Sequence, residues 1–487
     1  MDKIKKPDFK KINETTWEIS TDYKKGMNVP ARIIATKKLL DKMDLQVFDQ
    51  ITNVATLPGA VNYVIAMPDS HFGYGFPVGG VAAMDLKEGV ISPGGLGFDL
   101  NCGMRLLTTN LTLKEVKPKI KELVHCLYKL VPPGVGARTP LRLSNSQIDE
   151  ISVKGVKWCV ENGYGWKNDE KKIEEHGAIS GALPEKISDK AKSRGRNQLG
   201  TLGSGNHYLE VQFVSAGQIY NEESAKAFGI HDKDQICIMV HCGSRGYGHQ
   251  IATDYLKLFD KVMPKYGIKL PDRELSCAPF QSQEGQDYYG AMVGAANFAF
   301  SNRQLITHNI REAFKQVFKQ DAEKFGIDII YDVAHNIGKI EKYKVDGKLR
   351  ELLIHRKGAT RSFGPGNKEL WGNYKTFGQP VIVGGSMETG SFLLTGTKKA
   401  EEETFGSTLH GSGRTMSRMQ AKKQVRGDKL QKEMEERGIY VKSASMAGLA
   451  EEAGLAYKPI SEVIEAVEKA GINRAVCLLK PLGNIKG

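Results

Sequence analysis

Short apolar runs that stop at a histidine in polar, glycine-rich surroundings constrain this chain more than any other feature. Ile236-Cys237-Ile238-Met239-Val240 runs into His241-Cys242-Gly243-Ser244-Arg245-Gly246, and Ile327-Asp328-Ile329-Ile330-Tyr331 leads to Asp332-Val333-Ala334-His335-Asn336. Runs of this length, bounded by turn-forming residues, read as buried strands. Residues at the ends of such strands are what an α/β core exposes to a cleft. A third histidine, His207 in Gly205-Asn206-His207-Tyr208-Leu209-Glu210, has the same kind of setting. The 53 glycines among 487 residues exceed the usual share of about 7 %, and most fall beside histidine, serine or arginine.

Further elements follow from periodicity. Residues 61–67 read as a buried strand that runs into Pro68-Asp69-Ser70-His71, and Pro93-Gly94-Gly95-Leu96-Gly97 bends the chain just before Asp99 and Cys102. Helices are expected near 35–43 and over 111–130, 251–265, 305–325, 419–437 and 460–469, with strands at 381–383 and 475–479. The expected class is α+β: one large mixed α/β catalytic body over 61–487, its cleft lined by glycine-rich loops at strand ends. Residues 1–60 read as an N-terminal segment packed on that body. The weakly periodic stretch 132–200 reads as an inserted lobe or as a substrate-facing excursion.

The balance of 69 basic against 56 acidic side chains, +13, favours an anionic partner. Seven cysteines without close spacing fit a reducing compartment, and no secretory signal core or apolar run of membrane-spanning length is present. A cytoplasmic protein with no membrane partner is expected.

Imidazole nitrogen from His207, His241 and His335, a thiolate from Cys102 and a carboxylate from Asp99 form a donor set suited to a transition metal rather than to magnesium alone. A thiolate has the lone pairs to bridge two cations. His71, Cys242 and His249 compete for the ligand role, although Cys242, adjacent to His241 on a strand, would face the other way.

Two glycine-rich segments are suited to phosphate. Gly384-Gly385-Ser386-Met387-Glu388-Thr389-Gly390-Ser391 can offer several backbone N–H groups and hydroxyls, without the order of a P-loop. Gly406-Ser407-Thr408-Leu409-His410-Gly411-Ser412-Gly413-Arg414 leaves His410 accessible, with Arg414 and Arg418 placed to neutralise phosphate oxygens. His410 can be read as a nucleophile towards phosphorus, as a general base or as a hydrogen-bonding residue. The residues by themselves leave open a metal-dependent phosphoesterase, which would turn over without nucleotide, and a metal-stabilised RNA-binding scaffold, which would not turn over at all.

Taken together, Asp99-Leu100-Asn101-Cys102-Gly103-Met104-Arg105, Gly203-Ser204-Gly205-Asn206-His207, the His241 and His335 segments, 361–366 and the His410 segment closely resemble the RtcB-type RNA ligases. The resemblance implies a GTP-dependent enzyme that joins an RNA 3'-phosphate or 2',3'-cyclic phosphate to a 5'-hydroxyl, in tRNA splicing and RNA repair. It implies two manganese ions, one held by Asp99, Cys102 and His207 and one by Cys102, His241 and His335. It makes His410 the residue that takes GMP from GTP. Asn206 would engage the GTP phosphates, Glu210 and Lys486 the guanine edges, and Tyr457 the face of the base. Tyr208, Asn336, Gly384, Ser386, Met387, Glu388, Ser391, Gly411 and Gly413 would complete the nucleotide pocket. RNA, including cleaved tRNA halves, and an archease-like activator are the partners implied. Lys192, Arg194, Arg196, Arg245, Arg414 and Arg418 are candidates for RNA contact. Cys242, Tyr208 and Leu409 depart from the commonest family pattern without removing a proposed ligand.

Overall fold

The computed structural model describes residues 4–487; Met1 to Lys3, with which the expected 1–60 segment begins, lie outside the described residues. Two large sheets carry the architecture. The first has seven strands in the order Lys10–Lys11, Thr16–Ile19, Ala31–Ile34, Ala60–His71, Val78–Asp85, Lys348–Lys357, Asn336–Val345. The second runs Asp328–Ala334, Gly103–Thr112, Gln235–Cys242, Tyr208–Ile219, Asn473–Lys486, Ser391–Gly396, Pro380–Val383, with Tyr440–Ser443 added in parallel to Asn473–Lys486. Residues before 60 thus contribute strands to the first sheet, where Ala31 pairs in parallel with Val64.

The strand Gln235–Cys242 is buried at every position, as a near-continuous apolar run requires when both faces of a sheet are covered. Alternation sends Cys237 and Met239 to the main core, and Ile236, Ile238, Val240 and Cys242 to a second cluster on the opposite face. That second cluster is closed by the helix Ile120–Leu130 and part of the helix Gln283–Phe318.

Four of the expected helices differ in their bounds; the one expected over 251–265 runs Arg245–Val262. Over 111–130 the strand Gly103–Thr112 continues first; one helical turn, Leu113–Val116, and a tighter turn containing Pro118 follow, and the longer helix starts at Ile120. The segment 419–437 divides into Arg418–Gln424 and Gly427–Glu436, because Val425 and Arg426 are extended. The helix expected over 305–325 begins far earlier, spanning Gln283–Phe318, and ends where Lys319 takes a left-handed conformation. At 36 residues it is about 54 Å long.

This long helix anchors the centre of the molecule. Arg303 is fully buried and donates to Asp332 Oδ1 and Oδ2 at 2.9 and 2.8 Å, to the Asn101 and Cys242 carbonyls at 2.8 Å each, and to Asn101 Oδ1 at 3.0 Å. Arg105 donates to the same Asp332 carboxylate at 2.7 Å. Arg303 therefore ties together the loop before Cys102, the strand end at His241 and the strand leading to His335. Its removal leaves Asp332 with one cation and several carbonyls unpaired in a dry interior. Arg303→Leu is expected to lose about 3–5 kcal/mol of stability, read as a lower denaturant midpoint.

The stretch 132–200 forms the helices Asn145–Lys154, Val156–Glu161 and Asp189–Gly195 with irregular links. Asn297 of the long helix fastens it, donating to the Ser152 and Ile179 carbonyls at 2.8 and 2.9 Å. No helix among the described residues is long and apolar enough to cross a membrane.

Candidate active site

The five expected metal donors converge. Asp99 and Cys102 lie in one tight turn, in which the Cys102 N–H donates to the Asp99 carbonyl at 2.9 Å. His207 precedes the strand Tyr208–Ile219, His241 ends Gln235–Cys242, and His335 follows Asp328–Ala334. Cys102 Sγ is 3.3 Å from His207 Nε2 and 3.2 Å from His241 Nε2, and His241 Nε2 is 3.2 Å from His335 Nε2. Two sets, Asp99–Cys102–His207 and Cys102–His241–His335, each gather their donor atoms within 4.8 Å and share the one sulfur. Close approach depends on glycine at 243, where a Cβ would sit 2.3 Å from Asp99 Oδ2.

The donors fit divalent cations. Asp99 Oδ2 is buried and faces His207 Nε2 at 2.8 Å. His207 Nδ1 contacts the Leu202 carbonyl at 3.0 Å, which fixes the ring and leaves Nε2 to the cluster. Burial opposes charge on His207, but the sulfurs of Cys102 and Cys242 and the Asp99 carboxylate raise its pKa well above the ordinary value. Burial, with positive neighbours, drives His241 and His335 well below it. Burial and Asp99 push the Cys102 thiol up to about 11. A dry cluster of nitrogens, a sulfur and a carboxylate in which one imidazole attracts a proton and two repel it is what cations would resolve.

His71, Cys242 and His249 belong to neither set. Cys242 Sγ points away to the Leu202 carbonyl at 3.0 Å, as alternation along the strand requires. His71 Nδ1 contacts the Asp69 carbonyl, and His249 stacks on Phe98.

The cluster opens into a cleft of about 810 Å³, which also takes in His410. The His410 ring lies 4.8 Å from that of His335, and His410 Nδ1 is 2.7 Å from Asp69 Oδ2. That oxygen also accepts from the His410 and Gly411 N–H groups at 3.1 and 3.3 Å. Burial opposes ionisation of Asp69, but His410 and then Lys458 outweigh it and hold the carboxyl below its ordinary value. With Nδ1 held by a carboxylate, Nε2 is the ring nitrogen left for chemistry.

Asp69 was not singled out in the sequence, although it too follows an apolar run. Lys458 was also missed: it donates to the Pro68 and Ser70 carbonyls at 2.9 and 2.7 Å on either side of Asp69, and burial lowers its pKa to about 8. Glu452 is a third omission. It accepts from Arg414 and Arg418 at 3.2 and 3.3 Å and from Tyr457, and lies 3.6 Å from Lys486. Burial opposes its charge, yet Lys486 and Arg414 hold its carboxyl at about 2.

Asn206, Tyr208, Asn336, Gly384, Ser386, Met387, Gly411, Gly413, Tyr457 and Lys486 line the cleft, as do Arg414 and Arg418. Glu210, Glu388 and Ser391 stand behind its wall. Burial raises Glu210 to about 7; it accepts from Gln212 at 2.6 Å, and Gln212 donates in turn to Ser391. Glu388 is bound to the Gly454 N–H and Arg437.

The remaining basic candidates face protein partners. Lys192 is buried against Asp149 at 2.7 Å, Arg194 donates to Gln250, and Arg196 donates to Asn145. Arg245, also buried, adopts a left-handed φ of 57° and reaches behind His207, its guanidinium 3.4 Å from Nδ1. Only glycine fits at 203, since a Cβ there would meet that guanidinium at 1.9 Å.

A family model described as "tRNA-splicing ligase RtcB" matches residues 50–487. Proteins of that description from Archaeoglobus fulgidus and Thermococcus kodakarensis are each 52 % identical to this chain, over 479 and 480 residues, covering 98 % of it and 99 % of each relative. The one from Pyrobaculum aerophilum is 50 % identical over 480 residues, with the same coverage. Fold, donor cluster and matches together define an enzyme of the ligase class. The chain belongs to the RtcB family.

Proposed function

We propose that this enzyme joins an RNA 3'-phosphate to an RNA 5'-hydroxyl through a GMP carried on His410, with GTP and manganese, in tRNA splicing and RNA repair. The observation that carries this reading is His410, oriented by Asp69 at 2.7 Å and set 4.8 Å, ring to ring, from His335 of the donor cluster. Two manganese ions, held by Asp99, Cys102 and His207 and by Cys102, His241 and His335, would supply Lewis acidity to phosphate oxygens.

His410 Nε2 attacks the α-phosphorus of GTP, forming an N–P bond as the bond to pyrophosphate breaks. The ring becomes cationic as its lone pair is used, and the Asp69 carboxylate stabilises that charge. An oxygen of the RNA 3'-phosphate next takes the GMP phosphorus, and the histidine leaves with its lone pair restored. The RNA 5'-hydroxyl then attacks the activated 3'-phosphorus, expelling GMP and closing the phosphodiester. A 2',3'-cyclic end enters after hydrolysis to the 3'-phosphate. Asn206 and the Gly384–Ser386 backbone face the phosphates, while Tyr457 and Lys486, with Glu210 behind, address guanine. The same reading places the enzyme in the cytoplasm, acting on cleaved tRNA halves and served by an archease-like activator.

The test is intact mass after incubation with manganese and GTP, followed by peptide mapping and by addition of 3'-phosphate and 5'-hydroxyl RNA fragments. A GMP-sized gain mapped to His410 and discharged by RNA into a joined product is the expected result. Joining without GTP, and with no such gain, would instead favour a phosphoesterase-type use of the same centre. Asp69→Asn keeps the size of the side chain but removes the charge facing the ring. Adduct formation by that variant is expected to slow about 10²- to 10⁴-fold in quenched time courses.

A further inference from the structure

The cleft mixes polar and apolar lining, and one rim of it is aromatic. Phe72 is 53 % exposed and Tyr74 36 %. The Tyr74 ring meets Phe98 edge-on at 5.1 Å, and Phe98 in turn stacks on the exposed His249 with planes 17° apart. Phe72 and Phe98 line the same cleft as Asp99 and His410, so the aromatic rim is continuous with the reaction centre. Exposed aromatics scattered singly need no explanation. Here four rings from three segments gather at one edge.

The loop that carries two of them is held still. The Gln50 amide donates to the Gly73 carbonyl at 2.6 Å and accepts from the Gly73 N–H at 3.0 Å. Glu274 accepts from the Gly75 N–H at 2.8 Å, and Lys357 donates to the carbonyls of Tyr74 and Phe76. Three distant side chains therefore fix the backbone while the Phe72 and Tyr74 rings remain exposed. A fixed backbone under exposed rings lowers the ordering cost of binding a flat partner. Lys42 and Arg418, on the same cleft, provide positive charge for a phosphate backbone.

We propose that Phe72, two residues along the loop from the Tyr74–Phe98–His249 cluster, is a stacking platform for an unpaired base at an RNA end brought to the metal cluster. The proposal rests on the RNA-joining reading above and names where that substrate is gripped. Single-stranded RNA is commonly held by stacking bases on aromatic faces, which tolerates any sequence. Such a grip suits an enzyme that must hold ends without reading them.

The test is fluorescence anisotropy of short 3'-phosphate and 5'-hydroxyl RNA fragments with the full-length, manganese-loaded enzyme. Phe72→Leu keeps apolar bulk but removes the π face, and is expected to weaken binding of one fragment about tenfold; Phe72→Trp restores it. An abasic terminal nucleotide should impose the same loss on the wild-type enzyme and no further loss on Phe72→Leu. Whether the 3' or the 5' fragment responds identifies the end that stacks. Wild-type affinity in Phe72→Leu for both fragments would overturn the proposal. So would an abasic penalty as large in the variant as in the wild type, which would assign the rim to some other partner such as a protein. GMP transfer to His410 is measured in parallel: its absence from the wild type would count against the ligase reading, whereas the anisotropy result judges the platform alone.

Discussion

Cys102→Ser should empty both metal positions at once. Each donor set contains Cys102, so one substitution removes a ligand from both. A serine hydroxyl is too weak an acid to replace the thiolate that both sets would share, and it is a poor match for the imidazoles around it. If each set holds a manganese ion as proposed, content after dialysis should fall from two ions per chain to almost none, with affinity reduced well beyond the roughly 10- to 100-fold seen when only an outer partner is lost. His335→Ala provides the contrast, because it removes a donor from one set and leaves Asp99, Cys102 and His207 intact; it should retain one ion. If Cys102→Ser also retained one, the sulfur would not be shared.

His410→Asn should give the opposite pattern. His410 belongs to neither donor set, so metal content should match the wild type. The GMP adduct should disappear, and joining of 3'-phosphate ends should fall by about 10⁴-fold or more, the scale on which a covalent nucleophile is missed. GTP affinity should fall far less than adduct formation, since Asn206, Gly384, Ser386, Tyr457 and Lys486, on other segments, also line the cleft. An adduct persisting in this variant would shift nucleophilic duty to another buried group. Lys458, lowered by burial to about 8 and placed beside Asp69, is the first to map.

The donor cluster was legible because its histidines terminate apolar runs or sit in glycine-rich turns, and the strand Gln235–Cys242 is buried on both faces, as its composition demands. The long helix was not legible over residues 283–304. It carries no amphipathic stripe there, since Gly290, Asn297, Asn302 and Arg303 are buried as fully as Phe298. Its polar groups are satisfied by distant carbonyls, and Gly290 lies so close to Leu183 that a Cβ would be 2.5 Å from that side chain. Asp69 was overlooked for a related reason: its meaning comes from a histidine 341 positions away. The basic residues Lys192, Arg194 and Arg196 have protein partners in Asp149, Gln250 and Asn145, which charge counting does not reveal.

The place of the strand Asn473–Lys486 has a consequence for the order in which the enzyme comes into being. It lies inside the second sheet, between Tyr208–Ile219 and Ser391–Gly396, and pairs with both, so the hydrogen-bonded ladder linking the two portions of that sheet among the described residues runs through it. In a chain made from its N-terminus, every metal donor has been synthesised by His335, whereas His410, Tyr457 and Lys486 come later. Pairing across so wide a separation is slow and waits on chain closure. A nascent chain can thus gather the two donor sets before His410, Tyr457 and Lys486 exist, and the cleft is completed only when the strand Asn473–Lys486 takes its place.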